Sequence, residues 1–339
     1  MKAIEMKPAI ELKKPEAKKG ENMGSYDEYR VSTHLKAFTD SIQESVNTPA
    51  IPTGFDKLDS VLDGGLYAGL YFVGAISSLG KTTFVMQIAD QMAQQGNDVL
   101  IFSLEMARYE LMAKSISRTT LLNAEHPRQA KTVHDIMVWK RYENYSPEEI
   151  ALIKQAVYEY GGYADNIYIV EGVGDVSAGR IKEDVERHIR ATGKTPVVII
   201  DYLQLIEPEP NQMRDTTKQV IDKAVMELKR ISRDLKTPVI AISSLNRQSY
   251  KDESNMAAFK ESGAIEYSSD VLIGMQLKGV GTSNFDVDAA KRKDPREVEV
   301  VILKNRNGQT GDKLNYRYYQ RFNCFQECAG SKEATWKRI

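Results

Sequence analysis

Residues 69–83 read GLYFVGAISSLGKTT, and the reading of this stretch decides the fold. Leu70, Tyr71, Phe72 and Val73 form a short apolar run bounded by glycines, which predicts a buried strand, and residues 84–96 (FVMQIADQMAQQG) carry apolar groups at helical spacing. Strand, tight turn and helix together frame a phosphate-binding loop. The general pattern is Gly-x4-Gly-Lys-Ser/Thr; here Ala75 holds its first position and Gly74 lies one residue upstream. A turn through Ser77, Ser78 and Gly80 aims backbone N–H groups at phosphates, and the helix N-terminus that begins with Lys81, Thr82 and Thr83 favours anions through its dipole. Gly80 permits close approach, Lys81 reaches the β and γ phosphates, and Thr82 offers its hydroxyl to Mg²⁺. The plainer alternative is a glycine-containing strand-to-helix turn with an exposed lysine.

With 339 residues, 42% of them apolar, the chain can build one large α/β domain or two ordinary ones. Lys and Arg (46) balance Asp and Glu (47), so the net charge of -1 carries no global signature of nucleic-acid binding, and any such binding must be local. The two cysteines, Cys324 and Cys328, have no His or Cys cluster beside them; they read as structural thiols rather than zinc ligands, and suit a reducing cytoplasm. No apolar run approaches the length of a membrane span, and the Lys-rich N-terminus lacks the apolar core of a signal peptide. A soluble, cytoplasmic protein is expected.

Around the central stretch the chain alternates strands with helices. Residues 1–24 are rich in Lys, Glu and Pro and read as an arm, while residues 26–45 space Tyr29, Leu35, Phe38 and Ile42 for an amphipathic helix. Strands are predicted at 98–103 (DVLIFS) and 167–171 (IYIVE), fully buried strands at 196–206 (PVVIIDYLQLI) and 238–244 (PVIAISS), and a further short strand at VLIGMQL. Helices are predicted after each, at 104–118, across much of 125–165 with a cap at Ser146, at 176–189, and within 211–237. VEVVIL (298–303) and LNYRYYQRF (314–322) flank the basic turn KNRNGQTG and predict a terminal hairpin of edge strands. This alternation argues for an α/β fold with a mostly parallel central sheet covered by helices on both faces, closed by a C-terminal β-hairpin.

Two acids sit where ligands of an open parallel sheet bind, beyond the carboxyl ends of strands. Asp201 ends VVIID, where a carboxylate can hold Mg²⁺ opposite Thr82; the alternative is an aspartate capping the next turn. Glu105 follows DVLIFS and is a candidate general base for an attacking water, against the alternative of an acid favoured at a helix N-terminus.

Several blocks in the same order, PTGFDKLD, AISSLGKTT, FSLEM, IIDYLQLI, PVIAISSLNR, KESGAIEYSSD and KNRNGQTG, resemble the motifs of the motor domain of DnaB-type replicative helicases. The resemblance runs over residues 51–311 and implies a RecA-like P-loop NTPase fold, assembled as a homo-oligomer, a hexameric ring, that translocates on single-stranded DNA and separates strands with ATP and Mg²⁺. By that resemblance Lys81, Thr82, Glu105 and Asp201 keep the roles given above. Lys304 and Arg306 become fingers that reach the adjacent subunit's nucleotide, and Lys260, Glu261 and Gly263 line the DNA channel. Ser244 stands where the family usually has the glutamine thought to sense the γ-phosphate, so coupling of ATP state to DNA grip is expected through Ser244, Asn246 or Arg247. The family's helical N-terminal collar, which meets primase, is expected to be absent or reduced to residues 1–45, an arm and linker helix ahead of a motor at 46–339. A phage or mobile-element motor, or a piece of a longer chain, with a primase or a helicase loader as partner, is the resulting expectation. The competing reading is a RecA-like DNA-binding ATPase of the recombinase or clock-protein type that does not unwind forks. A weakly hydrolysing assembly factor is a third, opposed by the presence of both Glu105 and Asp201.

Overall fold

The computed structural model describes residues 29–45, 50–172, 174–212, 214–246, 252–259 and 263–328. The chain divides into two compact units, Met1–Pro49 and Ala50–Ile339. Helix α1 (Val31–Ser45) lies in the first, and its apolar residues Val31, Leu35, Phe38 and Ile42 are exposed along one stripe.

The second unit begins with α2 (Asp56–Val61), β1 (Gly69–Ala75), α3 (Lys81–Gln94), β2 (Val99–Ser103) and α4 (Arg108–Asn123). There follow α5 (Val133–Met137), α6 (Pro147–Gly161), β3 (Ile167–Glu171), α7 (Ala178–Thr192), β4 (Val197–Asp201), α8 (Thr217–Asp234) and β5 (Pro238–Ser244). The remainder is α9 (Gly263–Ser268), β6 (Val271–Leu277), α10 (Val287–Arg292), β7 (Arg296–Asn305), β8 (Lys313–Tyr319) and β9 (Cys324–Glu327).

These strands form one sheet in the order β3-β2-β4-β5-β1-β6-β7-β8-β9. Strands β3 through β6 in that order pair in parallel, and β7, β8 and β9 continue antiparallel. A strand covered on both faces must be apolar at nearly every position, which is why VVIID and GLYFVGA are buried throughout. Alternation along β1 then assigns its residues to two cores. Tyr71, Val73 and Ala75 join Phe84, Val85, Ile88 and Met92 of α3; Leu70 and Phe72 join Ile181 and Val185 of α7 and Ile221, Val225 and Leu228 of α8. Strand β1, which carries the phosphate-binding turn, therefore lies in the middle of the sheet with helices on either side.

Several sequence expectations need adjustment. The apolar run 196–206 ends as a strand at Asp201, and Leu203–Leu205 form a 3-10 turn. The predicted hairpin is a three-stranded ribbon: β7 pairs with β6, and the sheet ends at β9, a four-residue strand that sequence reading missed. Ser146 caps α6 as expected, in a reciprocal capping box with Glu149 and with Pro147 in the first turn. Cys324 is buried in β9, Cys328 is partly exposed, and both are free thiols. Burial pushes the Cys324 thiol up to about 12, which keeps it protonated and unreactive. Among the described residues no group of three or more His, Cys, Asp and Glu could hold a metal ion, and no helix is long and apolar enough to cross a membrane.

Candidate active site

Parallel pairing brings the carboxyl ends of four strands to one edge. Ala75 at the end of β1 is in register with Ser244 of β5, and Ser103 at the end of β2 with Asp201 of β4. The turn that leaves β1 is built for close approach. Ser78 and Gly80 both have positive φ, +63° and +92°, and a Cβ added at Gly80 would lie 2.8 Å from the Tyr318 ring and 3.0 Å from Phe325. Glycine is required there on both counts. Lys81 opens α3 and its Nζ donates to the carbonyls of Ala75 (3.1 Å) and Ile76 (3.3 Å), folded back over the turn. Ser77 and Ser78 are exposed on the turn, and Thr83 is buried under it, 3.5 Å from Asn323 Oδ1.

The Thr82 hydroxyl donates to Asp201 Oδ1 at 3.2 Å across the sheet edge. Asp201 is 1% exposed, and its other oxygen, Oδ2, is buried with no hydrogen-bond partner. A buried carboxylate oxygen left unpaired is costly, so the arrangement calls for a cation. Burial raises the Asp201 pKa to about 6, opposed first by the Thr82 hydrogen bond; Glu105 raises it further while Lys81 and Lys114 lower it. Glu105 is exposed two residues beyond Ser103, on a turn fixed by Ser103 Oγ donating to the Met106 carbonyl (2.6 Å) and by the Leu104 N–H donating to the Asp201 carbonyl (2.7 Å). Lys81, Thr82, Glu105 and Asp201 thus share one edge. The glycine turn, the lysine and the Thr82–Asp201 pair with its orphaned oxygen fit a nucleoside triphosphate with a divalent cation.

Lys304 and Arg306 are elsewhere. Both lie beside Asp270, at the amino end of β6, whereas the phosphate-binding turn leaves the carboxyl end of β1. From Leu70 to Ala75 strand β1 spans about 16 Å at ~3.3 Å per residue. The structure therefore does not bring these two cations to the P-loop of the same chain.

At the end of β5, Ser244 is half-buried, and Ser243 Oγ accepts from Gln204 Nε2 at 2.9 Å. The N–H of Asn246 donates to the Ala258 carbonyl (2.8 Å), and Leu245 bridges to Phe259, so the strand end is tied to the segment just before residue 260. Arg247, Lys260 and Glu261 lie outside the described residues, and Gly263 is the first residue of α9.

Sequence reading missed three supports. Arg296, 8% exposed at the start of β7, donates through Nη1 to the Ser78 carbonyl (2.8 Å) and so holds the strained turn from outside. Gln204 ties the turn after Asp201 to β5. Tyr318 and Phe325 stack at 4.2 Å against Gly80 and α3. None follows a motif; only the buried Arg296 in an otherwise alternating strand gave a signal, a charge inside needing a partner.

A central P-loop strand, with the strand that ends in Asp201 two places along the sheet, defines a RecA-like P-loop ATPase fold. The profile of the DnaB-like helicase C terminal domain matches residues 50–327, and the chain belongs to that family. It is 28% identical over 265 residues to the replicative DNA helicase DnaB of Geobacillus stearothermophilus, covering 77% of this chain and 53% of that protein. With the replicative DNA helicase DnaC of Bacillus subtilis (strain 168) it shares 28% identity over 279 residues, 81% of this chain and 56% of that protein. The chain thus spans little more than half the length of these relatives. Among solved structures, an isolated ATPase domain superposes with a TM-score of 0.71 at 26% identity, covering 91% of this chain and 100% of that one. A DnaB-like replicative helicase described with its interactions with primase gives a TM-score of 0.70 at 25% identity, covering 87% of this chain and 66% of that one.

Proposed function

We propose that this chain is the ATP-hydrolysing motor of a ring-forming replicative DNA helicase that moves on single-stranded DNA and separates duplex strands. The observation that carries the reading is the division of its catalytic groups between two edges of one sheet. Lys81, Thr82, Asp201 and Glu105 stand at the carboxyl edge, and Lys304 and Arg306 stand at the amino edge, so a complete site needs two copies of the chain. Lys81 binds the β and γ phosphates of ATP, and the turn's backbone N–H groups orient them. Thr82 and Asp201 hold Mg²⁺, which withdraws charge from the phosphates when bound. Glu105, exposed at the mouth of the site, accepts the proton of the attacking water. Lys304 and Arg306 of a neighbouring copy neutralise charge that develops on the γ-phosphate. Lys260, Glu261 and Gly263 contact the DNA backbone without reading sequence, and Ser244, Asn246 and Arg247 pass the nucleotide state to that loop. The tie from Asn246 to Ala258 supports this last assignment. A primase or a loader completes the assembly, a pairing suggested by the helicase described with primase.

ATP turnover measured with and without single-stranded DNA tests the catalytic assignment. Glu105→Gln is expected to lower turnover by about 10²-fold or more while ATP binding persists, the loss typical of a missing general base. Unchanged turnover would sink the base assignment.

A further inference from the structure

Two cations on one strand face, two residues apart, repel each other unless an anion lies between them. Lys304 near the end of β7 and Arg306, the residue after its last, have that spacing, and the Arg306 N–H still bonds as a strand residue would, to the Asp270 carbonyl. Burial and then the neighbouring Arg306 depress the Lys304 ammonium below its ordinary range. The anion is Asp270. Its Oδ1 accepts from Arg306 Nη1 at 3.1 Å, and its carbonyl accepts the Arg306 N–H at 2.8 Å, extending the β6–β7 ladder by one step. Its Oδ2 accepts the Leu70 N–H at 2.8 Å and Lys229 Nζ of α8 at 2.5 Å, which anchors the carboxylate to the central strand. The preceding residue takes hold of the other cation: Lys304 Nζ donates to the carbonyls of Ser269 (2.7 Å) and Glu266 (2.5 Å), acceptors at the end of α9. The Arg306 side chain is 61% exposed even while paired, so its guanidinium is held by one side and presented by the other.

We propose that Asp270 is a positioning residue for catalysis between subunits: it fixes Arg306 directly, and Lys304 through the Ser269 turn, as a preset cation pair for the triphosphate of a neighbouring copy of this chain. The proposal rests on the reading of Lys304 and Arg306 as fingers acting in trans. A triphosphate carries several negative charges in a small volume and competes for the same guanidinium without displacing Lys229 or the Leu70 N–H from the carboxylate. Asp270 therefore stays anchored while the arginine is shared.

The test compares Asp270→Asn, Lys229→Met and Arg306→Ala in the full chain, each checked for assembly and for melting temperature. Asp270→Asn keeps the shape but removes the charge and one of the two acceptor oxygens; it is expected to lower kcat for ATP at least tenfold with KM changed less than threefold. Lys229→Met removes one of the two anchors of the same carboxylate but leaves its charge, the Leu70 N–H and the Arg306 pair in place, and is expected to lower kcat by clearly less than Asp270→Asn does. Mixing Asp270→Asn protein with Lys81→Ala protein is expected to restore turnover above the sum of the two alone, because one supplies an intact P-loop and the other an intact finger pair. If Asp270→Asn does not assemble, Asp270→Glu, which retains the charge but displaces it by one methylene, is expected to assemble with the same selective loss of kcat. Wild-type kcat in an assembled Asp270 variant that Arg306→Ala abolishes would overturn the positioning role alone. Wild-type kcat in Arg306→Ala would overturn the finger reading itself. Equal losses in Asp270→Asn and Lys229→Met, accompanied by equal falls in melting temperature and no recovery on mixing, would reduce Asp270 to a structural residue.

Discussion

At the scale of single residues, Asp201 concentrates the cost of the site. A carboxyl raised from 3.8 to about 6 by burial binds its proton more tightly in the folded chain than in the unfolded one. Below the unfolded value of about 4 the group is neutral in both states and costs nothing; as pH rises towards 6 folding must increasingly ionise it or keep it protonated at a penalty, and above 6 the full deficit, about 2–3 kcal/mol, is present. Asp201→Asn preserves the shape and the acceptor for Thr82 while removing the charge. In protein free of metal and nucleotide it is expected to raise the melting temperature by several degrees at pH 8 and to leave it nearly unchanged at pH 4, while abolishing metal-dependent turnover. Calorimetry across that pH range checks the sign; a lower melting temperature at pH 8 would contradict it. That Asp201, Thr82, Lys81 and Glu105 gather at one sheet edge was legible in the sequence, because each follows or ends an apolar run that reads as a strand of one parallel sheet. Asp270 and Arg296 were not, since each acts on a partner far off in sequence, Leu70 and Arg306 for the one and Ser78 for the other, that only the strand order brings near.

At the scale of elements, the antiparallel ribbon braces the helix that carries Lys81. Phe84 of α3 stacks on Phe55 at 5.2 Å, Tyr316 meets both edge-on, and Phe325 closes the cluster against Phe84 at 5.3 Å. Gln87 of α3 extends the sheet's pairing into the helix: its Nε2 donates to the Phe325 carbonyl at 2.9 Å and its Oε1 accepts the Phe325 N–H at 2.8 Å. Phe325 is 1% exposed, so Phe325→Ala leaves a cavity among aromatic rings and is expected to cost about 3–5 kcal/mol. Urea unfolding measures that loss; a change under about 1 kcal/mol would mean that the ribbon does not support α3. The parallel strands inside the sheet, β1, β2, β4, β5 and β6, could be read from sequence because burial on both faces leaves a continuous apolar run. Strand β9 could not: CFQE is a short strand, half of it polar, that follows a left-handed Asn323 at the end of a 3-10 turn. Its strand character comes from pairing with β8 and not from its own pattern.

At the scale of the whole molecule, the sheet separates Lys81, Thr82, Glu105 and Asp201, proposed to grip a triphosphate, from Lys304 and Arg306, proposed to neutralise it. On this account a single chain holds two half-sites, facing opposite neighbours, and turnover belongs to the assembly. The near-zero net charge fits such a design, because a ring can gather a few basic groups around a narrow channel while its exterior stays balanced. Residues 26–45 and 260–263 were legible only as an amphipathic stripe and a polar loop; the linker and DNA-contact roles proposed for them rest on the ordered set of motifs and not on local physics. The measurement that bears most directly on the account is ATP-dependent strand separation on a forked DNA duplex, with assembly monitored in parallel and Lys81→Ala as the control. Unwinding by the assembled protein, lost in Lys81→Ala, is the expected result. An assembled protein that hydrolyses ATP on single-stranded DNA yet separates neither fork polarity would contradict the helicase reading and point instead to a RecA-like DNA-binding ATPase.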